Sequence, residues 1–283
     1  MCFSTKAIFV KLAYRETPVD AVTLLALRMV FSVPFFVGAA ALSSQRATNV
    51  KFTPAQWLYV AFIGCLGYYV SSLLDFLGLK FVSAGIERLI LFIYPTLALL
   101  LSSVLFKVKI KSVQWLALVI TYLGLAIAYF GEMDFGAAAN QNFLYGSVLI
   151  FICAFTFAGY MVGSGKLIPL VGAAKFNSYA MLFASLGVLL HFFLFGGVSL
   201  LHLPASVYGY ALVMAILSTV IPSYLVTAAI NRIGSGNAAI VGSVGPVSTI
   251  VLASIFLQEA ITVWQLTGTA FILAGVLIIG KQK

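Results

Sequence analysis

Charge is what this 283-residue chain has least of: 8% of its residues are Asp, Glu, Lys or Arg, while 63% are hydrophobic. A soluble domain cannot keep such a surface in water, so a soluble globular fold is excluded. There are two His and three Cys. Cys2, Cys65 and Cys153 make no disulfide framework and read as small apolar residues within spans. A lone His191 has no companion ligands, so no metal site is expected. No Gly-Lys-Ser/Thr phosphate loop is present, which argues against direct nucleotide-driven pumping; Gly163-Ser164-Gly165-Lys166 and Gly234-Ser235-Gly236 are turns at span ends. Neither a His-Glu-x-x-His helix nor a Ser-His-Asp set occurs, so an intramembrane enzyme lacks its parts. No cofactor is expected. Short alternating strands, the mark of a transmembrane barrel, are missing, and no cleavable signal peptide is convincing.

What remains is long apolar runs of about 20 residues, enough to cross roughly 30 Å of hydrocarbon as helices. The expected fold is an all-α membrane protein with ten transmembrane helices. The spans fall near 1–13, 21–42, 56–79, 83–105, 112–130, 143–164, 175–196, 207–230, 236–257 and 262–280. The net charge of +9 points to loop charges that set orientation and not to nucleic acid. One set of loops collects ten Lys and Arg, with Arg46, Lys51, Lys107, Lys109 and Lys111 among them, against Arg15 and Lys80 on the other side. That bias predicts cytoplasmic termini in a bacterial inner membrane. The acids Glu16, Asp20, Glu132, Asp134 and Glu259 all fall on the outer side.

The two halves repeat. Pro95 pairs with Pro246, an offset of 151 positions (246 − 95), and the same shift pairs Cys2 with Cys153, Tyr59 with Tyr210, Ser72 with Ser223, Gly85 with Gly236, Gln114 with Gln265 and Gly124 with Gly275. With five spans in each half, the second half is inverted relative to the first, the architecture of many secondary transporters. The expected units are residues 1–131, an extracytoplasmic linker at 132–142, and residues 143–283. The first span is short for a membrane crossing. Its counterpart begins near Phe143, so about nine residues are missing before Met1 on this offset, through a late start or a genuine half-span.

Charges inside spans cost about 2.5–3.5 kcal/mol each on insertion scales, and their presence marks the candidate site. Tyr68, Ser71, Ser72 and Asp75 recur at helical spacing on the third span, a polar stripe suited to a cavity. Glu87 and Tyr94 share a face of the fourth. Asp75, Glu87 and Arg88 can bind a zwitterion or relay a proton, with Asp75 the proton-coupling candidate; alternatively Arg88 and one acid form a static pair. Arg28 can hold a carboxylate bidentately or snorkel to the interface. Tyr69, Tyr224 and Asn237 complete the substrate-binding candidates. Pro95 and Pro246, at matched depths, act as hinges or as simple kinks. Lys6 and Lys11, in the fragmentary first span, receive no role. Trp57, Trp115 and Trp264, near span starts, read as interface anchors.

Ala26-Leu27-Arg28, Val82-Ser83-Ala84-Gly85-Ile86-Glu87-Arg88 with Tyr94-Pro95, Pro246, and Leu257-Gln258-Glu259 followed by Gln265 and Gly268 together resemble the EamA family of the drug/metabolite transporter superfamily. The resemblance covers nearly the whole chain. It implies ten helices in two repeats, cytoplasmic termini, a central cavity, and transport of small metabolites, often export of amino acids or related compounds. Glu259 departs from the symmetry, since its counterpart is Val108. The implied partners are a small-molecule substrate, the lipid bilayer and a proton, with a homodimer left open. The rival readings are a non-transporting receptor or sensor, and a nucleotide-sugar or phosphate-ester carrier; the latter would want more Lys or Arg in the spans.

Overall fold

The fold was analysed in a computed structural model that describes residues 4–17, 19–45, 50–107, 112–132, 137–196, 200, 203–241 and 245–280. Backbone groups have no water to bond in hydrocarbon, so an apolar chain of this kind must satisfy them within helices. All regular structure among the described residues is helical: α1 (Ser4–Glu16), α2 (Ala21–Gln45), α3 (Pro54–Gly64), α4 (Ser71–Gly78), α5 (Ala84–Leu91), α6 (Tyr94–Phe106), α7 (Ser112–Glu132), α8 (Ala137–Val171), α9 (Ala173–Phe195), α10 (Ala205–Ala215), α11 (Ile221–Val241), α12 (Gly245–Leu257) and α13 (Val263–Gly280). Six helical stretches are long and apolar enough to cross a membrane: Ala21–Gln45, Pro54–Gly78, Ala84–Leu105, Gln141–Val171, Ala173–Phe195 and Ala205–Gly234. Three shorter apolar helices, Ser112–Ala128, Ser248–Leu257 and Val263–Gly275, accompany them.

The radial pattern is that of a membrane protein. Val104, Phe193 and Phe195 are each 77% exposed, whereas Arg28, Asp75 and Glu87 are buried. Water would reverse that arrangement; lipid favours it.

Two wide π-helical turns interrupt the helices. Cys65–Val70 joins α3 to α4, and Ile216–Val220 joins α10 to α11. Each ends with a backbone bond reaching five residues back, Ser71 N to Leu66 O and Ile221 N to Ile216 O. Such turns rotate the following side chains relative to a regular helix. Their positions match at the 151-residue offset. So do α3 with α10 and α6 with α12, whose bounds coincide under that shift.

Repeat-related helices pack against each other in opposite directions. In the α7–α13 pair, a Cβ on Gly124 would sit 2.7 Å from Gly268 O, and one on Gly268 would sit 2.5 Å from Gly124 O, while Gly131 faces Trp264 and Gly275 faces Thr121. Later positions on α7 therefore meet earlier positions on α13, and only glycine permits so close an approach. In the α2–α9 pair, Ser44 bonds Tyr179 and Ser185 bonds Met29 Sδ, again antiparallel.

Several expectations need adjustment. Within the stretch 132–142, read as a linker, residues 137–142 are helical and begin α8. The fourth span is not one smooth helix. It breaks at Phe92–Ile93, where Ile93 N bonds Ile90 O and Thr96 N bonds Ile93 O. Pro95 follows in the first turn of α6, where its missing N–H costs nothing. Pro246 occupies the same place in α12, but its side chain and the residues before Gly245 lie outside the described residues.

Candidate functional site

The polar interior is built around the residues that follow the two π turns. Arg28, 2% exposed on α2, donates from a terminal guanidinium nitrogen to Ser72 Oγ at 2.9 Å and lies 4.9 Å from the centre of the Phe76 ring. Its Nε meets no acceptor among the described residues. On α9, Asn177 donates to Ser223 Oγ, also at 2.9 Å. Ser72 and Ser223 are repeat mates, so each half sends a polar side chain from its second helix to the serine beyond its π turn. Alongside, Tyr224 OH bonds Ser178 Oγ at 2.7 Å. The Tyr68 and Tyr160 rings meet edge-on at 5.0 Å, and Phe157 stacks on Tyr160. The buried Tyr68 and Tyr160 hydroxyls have no partner beyond each other among the described residues.

A second cluster joins α1, α4 and α5. Lys6 Nζ lies 2.8 Å from Asp75 Oδ2 and 3.6 Å from Glu87 Oε1, and both acids are 0% exposed. Apart from this ammonium, no donor among the described residues bonds either carboxylate. The sequence left Lys6 without a role because its helix is short, yet it is the cation that balances the acids. Arg88 forms no ion pair with Asp75 or Glu87 among the described residues, so the expected Asp75–Arg88 contact is replaced by Lys6. A Lys beside a span with an unmatched Asp was the available signal.

The polar stripe of the third span divides. As neighbours on α4, Ser71 and Ser72 point about 100° apart, so Ser71 faces α8, where its Oγ lies 3.2 Å from Cys153 Sγ, and Ser72 faces α2 and Arg28. Tyr68 faces Tyr160, whereas Tyr69 OH bonds His191 Nδ1 at 2.8 Å. Tyr94 packs edge-on against Phe157 at 5.1 Å. Asn237 is on α11, with its side chain outside the described residues. The structure thus gathers Arg28, Tyr68 and Ser72 with Asp75, Glu87 and Lys6 in the first half, and sets Tyr224 among α9 and α11 partners in the second.

Two pockets lead inwards, and the repeat relates them. One, of about 510 Å³, is lined by residues including Lys11, Tyr14, Arg15, Leu79, Lys80 and Glu259. The other, of about 450 Å³, is lined by residues including Val162, Gly165, Lys166, Ile230 and Asn231. Lys11 and Val162, Tyr14 and Gly165, Arg15 and Lys166, Leu79 and Ile230, and Lys80 and Asn231 are all repeat mates at the same offset. The first pocket is the more charged. Glu259, whose counterpart is Val108, accepts from Ala84 N through both oxygens, at 3.2 and 3.1 Å. It therefore clasps the start of α5 from the α12–α13 connection, where a helix favours negative charge.

A helical membrane protein with ionic groups buried among its spans and polar pockets beside them has the features of a transporter. The comparisons agree. The model of the EamA-like transporter family matches residues 1–130 and again 144–281. The chain is 31% identical over 274 residues to the uncharacterized transporter YcbK of Bacillus subtilis (strain 168), spanning 95% of this chain and 86% of that one. It is 26% identical over 280 residues to the uncharacterized transporter sll1319 of Synechocystis, spanning 92% and 79%. A solved protein crystal structure superposes with a TM-score of 0.71 at 16% identity over 98% of this chain and 93% of that one, a likeness of fold. The chain belongs to the EamA-like transporter family. It is an integral membrane transporter, not an enzyme.

Proposed function

We propose that the chain is a secondary transporter that exports small metabolites such as amino acids or related compounds by alternating access. Its moving parts are two inverted five-helix units, residues 1–131 and 143–283, in a bacterial inner membrane with both termini cytoplasmic. The observation that carries this reading is the pair of pockets whose linings are matched by the repeat, five residues of one being mates of five in the other. If the halves are inverted, equivalent pockets open to opposite sides, and exchanging the conformations of the halves closes one as it opens the other. The antiparallel packing of α7 on α13 and of α2 on α9 supports the inversion. The family match in two pieces supports the division.

In this reading the substrate is held between the pockets by Arg28, Tyr68, Ser72, Asp75 and Tyr224, with Tyr69, Glu87, Arg88, Tyr94 and Asn237 as further contacts. A guanidinium with a free Nε beside two tyrosine hydroxyls suits a carboxylate. Pro95, in the first turn after the break at Phe92–Ile93, and its mate Pro246, in the first turn of α12, serve as the hinges. Coupling to a proton falls to the acids around Asp75. One copy of the chain is enough for this cycle.

The test is flux in proteoliposomes loaded with a panel of amino acids and related carboxylates, with and without a pH gradient. Substrate-specific efflux that accelerates with the gradient is expected, and the Arg28→Met variant loses it. Flux no greater than in empty liposomes across the panel, from protein shown to be folded, contradicts the reading.

A further inference from the structure

Asp75 and Glu87 present four carboxylate oxygens to the interior, and one ammonium faces them. Both carboxyl groups contact the same ammonium, and none of their oxygens bonds another donor among the described residues. Two carboxylates at zero exposure on one cation resist carrying two full charges, and a pair of this kind commonly shares a proton.

We propose that Asp75 and Glu87 hold one exchangeable proton between them, with Lys6 as their internal counter-cation, and that this proton enters and leaves through the Lys11-lined pocket. The coupling role of the site rests on the transporter reading above; the proton itself does not. In the loaded state the O–H of one carboxyl donates to the other. On release the proton passes to water in the pocket, and both acids are left as carboxylates on Lys6.

The surrounding groups leave this arrangement intact. From α2, Arg28 faces Asp75 at longer range, but its guanidinium is engaged by Ser72 and the Phe76 ring. From α5, Arg88 acts on Glu87 without touching it. From α8, Cys153 Sγ is paired with Ser71 Oγ of α4. From α1, Tyr14 OH donates to Phe76 O, and Lys11 feels the charges of Glu259 and Glu87. Helices α10, α12 and α13 carry no charged residue. The attraction of the two arginines favours ionised acids, but neither forms an ion pair with Asp75 or Glu87 among the described residues, whereas both acids contact Lys6 Nζ. A metal cation is disfavoured because Lys6 Nζ already occupies the position it would take.

Access follows from α4. Leu79 lies one turn beyond Asp75, its N–H donating to the Asp75 carbonyl at 2.9 Å, and lines the larger pocket together with Lys11 and Glu259. The acid is thus about one turn behind the pocket lining.

Infrared difference spectroscopy on the full chain in lipid tests the proposal without substrate. A carbonyl stretch from a protonated carboxyl group is expected at neutral pH. It shifts in deuterium oxide and fades on titration to alkaline pH. The band is lost in Glu87→Gln and in Asp75→Asn, since each leaves one acid for one lysine, and it strengthens in Lys6→Met. Lys6→Arg, which keeps the charge, retains it and serves as the folded control. Absence of the band across the titration, or its survival in both single-acid variants, overturns the proposal. Bleaching by added sodium at fixed pH also overturns it, in favour of a metal cation. A protein that shows the band but moves no substrate keeps the proton site and loses the transporter reading.

Discussion

Replacing Lys6 with Met removes the one cation that contacts the two buried acids among the described residues, and its cost follows from the geometry. Lys6 Nζ lies 2.8 Å from Asp75 and 3.6 Å from Glu87, and the acids have no exposure of their own. Each contact is worth on the order of 5 kcal/mol of Coulomb attraction at an effective dielectric of about 20. Most of that repays desolvation, so the net worth of the pair is far smaller. Removing one partner is a different matter, because it strands buried charge at a cost of about 3–5 kcal/mol. Lys6→Met is therefore expected to lose about that much stability in reversible unfolding from detergent micelles. Met fills nearly the volume of the Lys stem, so packing contributes little of the loss. Adding Asp75→Asn and Glu87→Gln removes the stranded charge and is expected to return the protein to within about 1 kcal/mol of the starting stability. A single-variant cost below about 1 kcal/mol, or a triple variant no more stable than Lys6→Met, would show that the three groups are not an electrostatic unit.

Two further outcomes follow from packing and capping. Gly268→Leu pushes a side chain into the Gly124 carbonyl and forces α13 off α7; thermal unfolding in detergent should show a loss of about 1–3 kcal/mol, and an unchanged midpoint would mean the helices are not in glycine contact. Glu259→Gln weakens the clasp on Ala84 N by about 0.5–2 kcal/mol. It should raise the thiol-labelling rate of a cysteine placed at the buried, pocket-lining Leu79; equal rates would leave Glu259 without a role in closing the pocket.

Much of the fold was legible because the repeat is gapless. Matching one Pro, Ser or Gly to its mate fixes the register of whole helices, which is why α3 with α10 and α6 with α12 coincide under the shift. The site was legible where membrane physics makes a residue expensive: Arg28, Asp75 and Glu87 are charged within apolar runs and are buried together in one half. The partners were harder to read. Helical spacing puts Tyr68 on one face with Ser71, Ser72 and Asp75, but the π turn at Cys65–Val70, which no proline or glycine pair announces, changes the angle between Tyr68 and the residues after it. Lys6 is hard to read because a helix of 13 residues does not look like a span, although the fold buries it against the acids. Glu259 reads as a loop acid, and only the fold shows that the loop reaches the start of α5 in the other half.

Sidedness of one repeat-matched pair tests the whole account. Lys80 and Asn231 are mates, both are exposed, and each lines its own pocket. Single cysteines at these two positions, in a chain stripped of its native cysteines, can be treated with a membrane-impermeant thiol reagent in right-side-out and inverted vesicles. The position-80 cysteine should react only from the outside and the position-231 cysteine only from the inside, because a duplicated unit turned over in the bilayer places equivalent pockets on opposite surfaces. Reaction of both from the same side would contradict it.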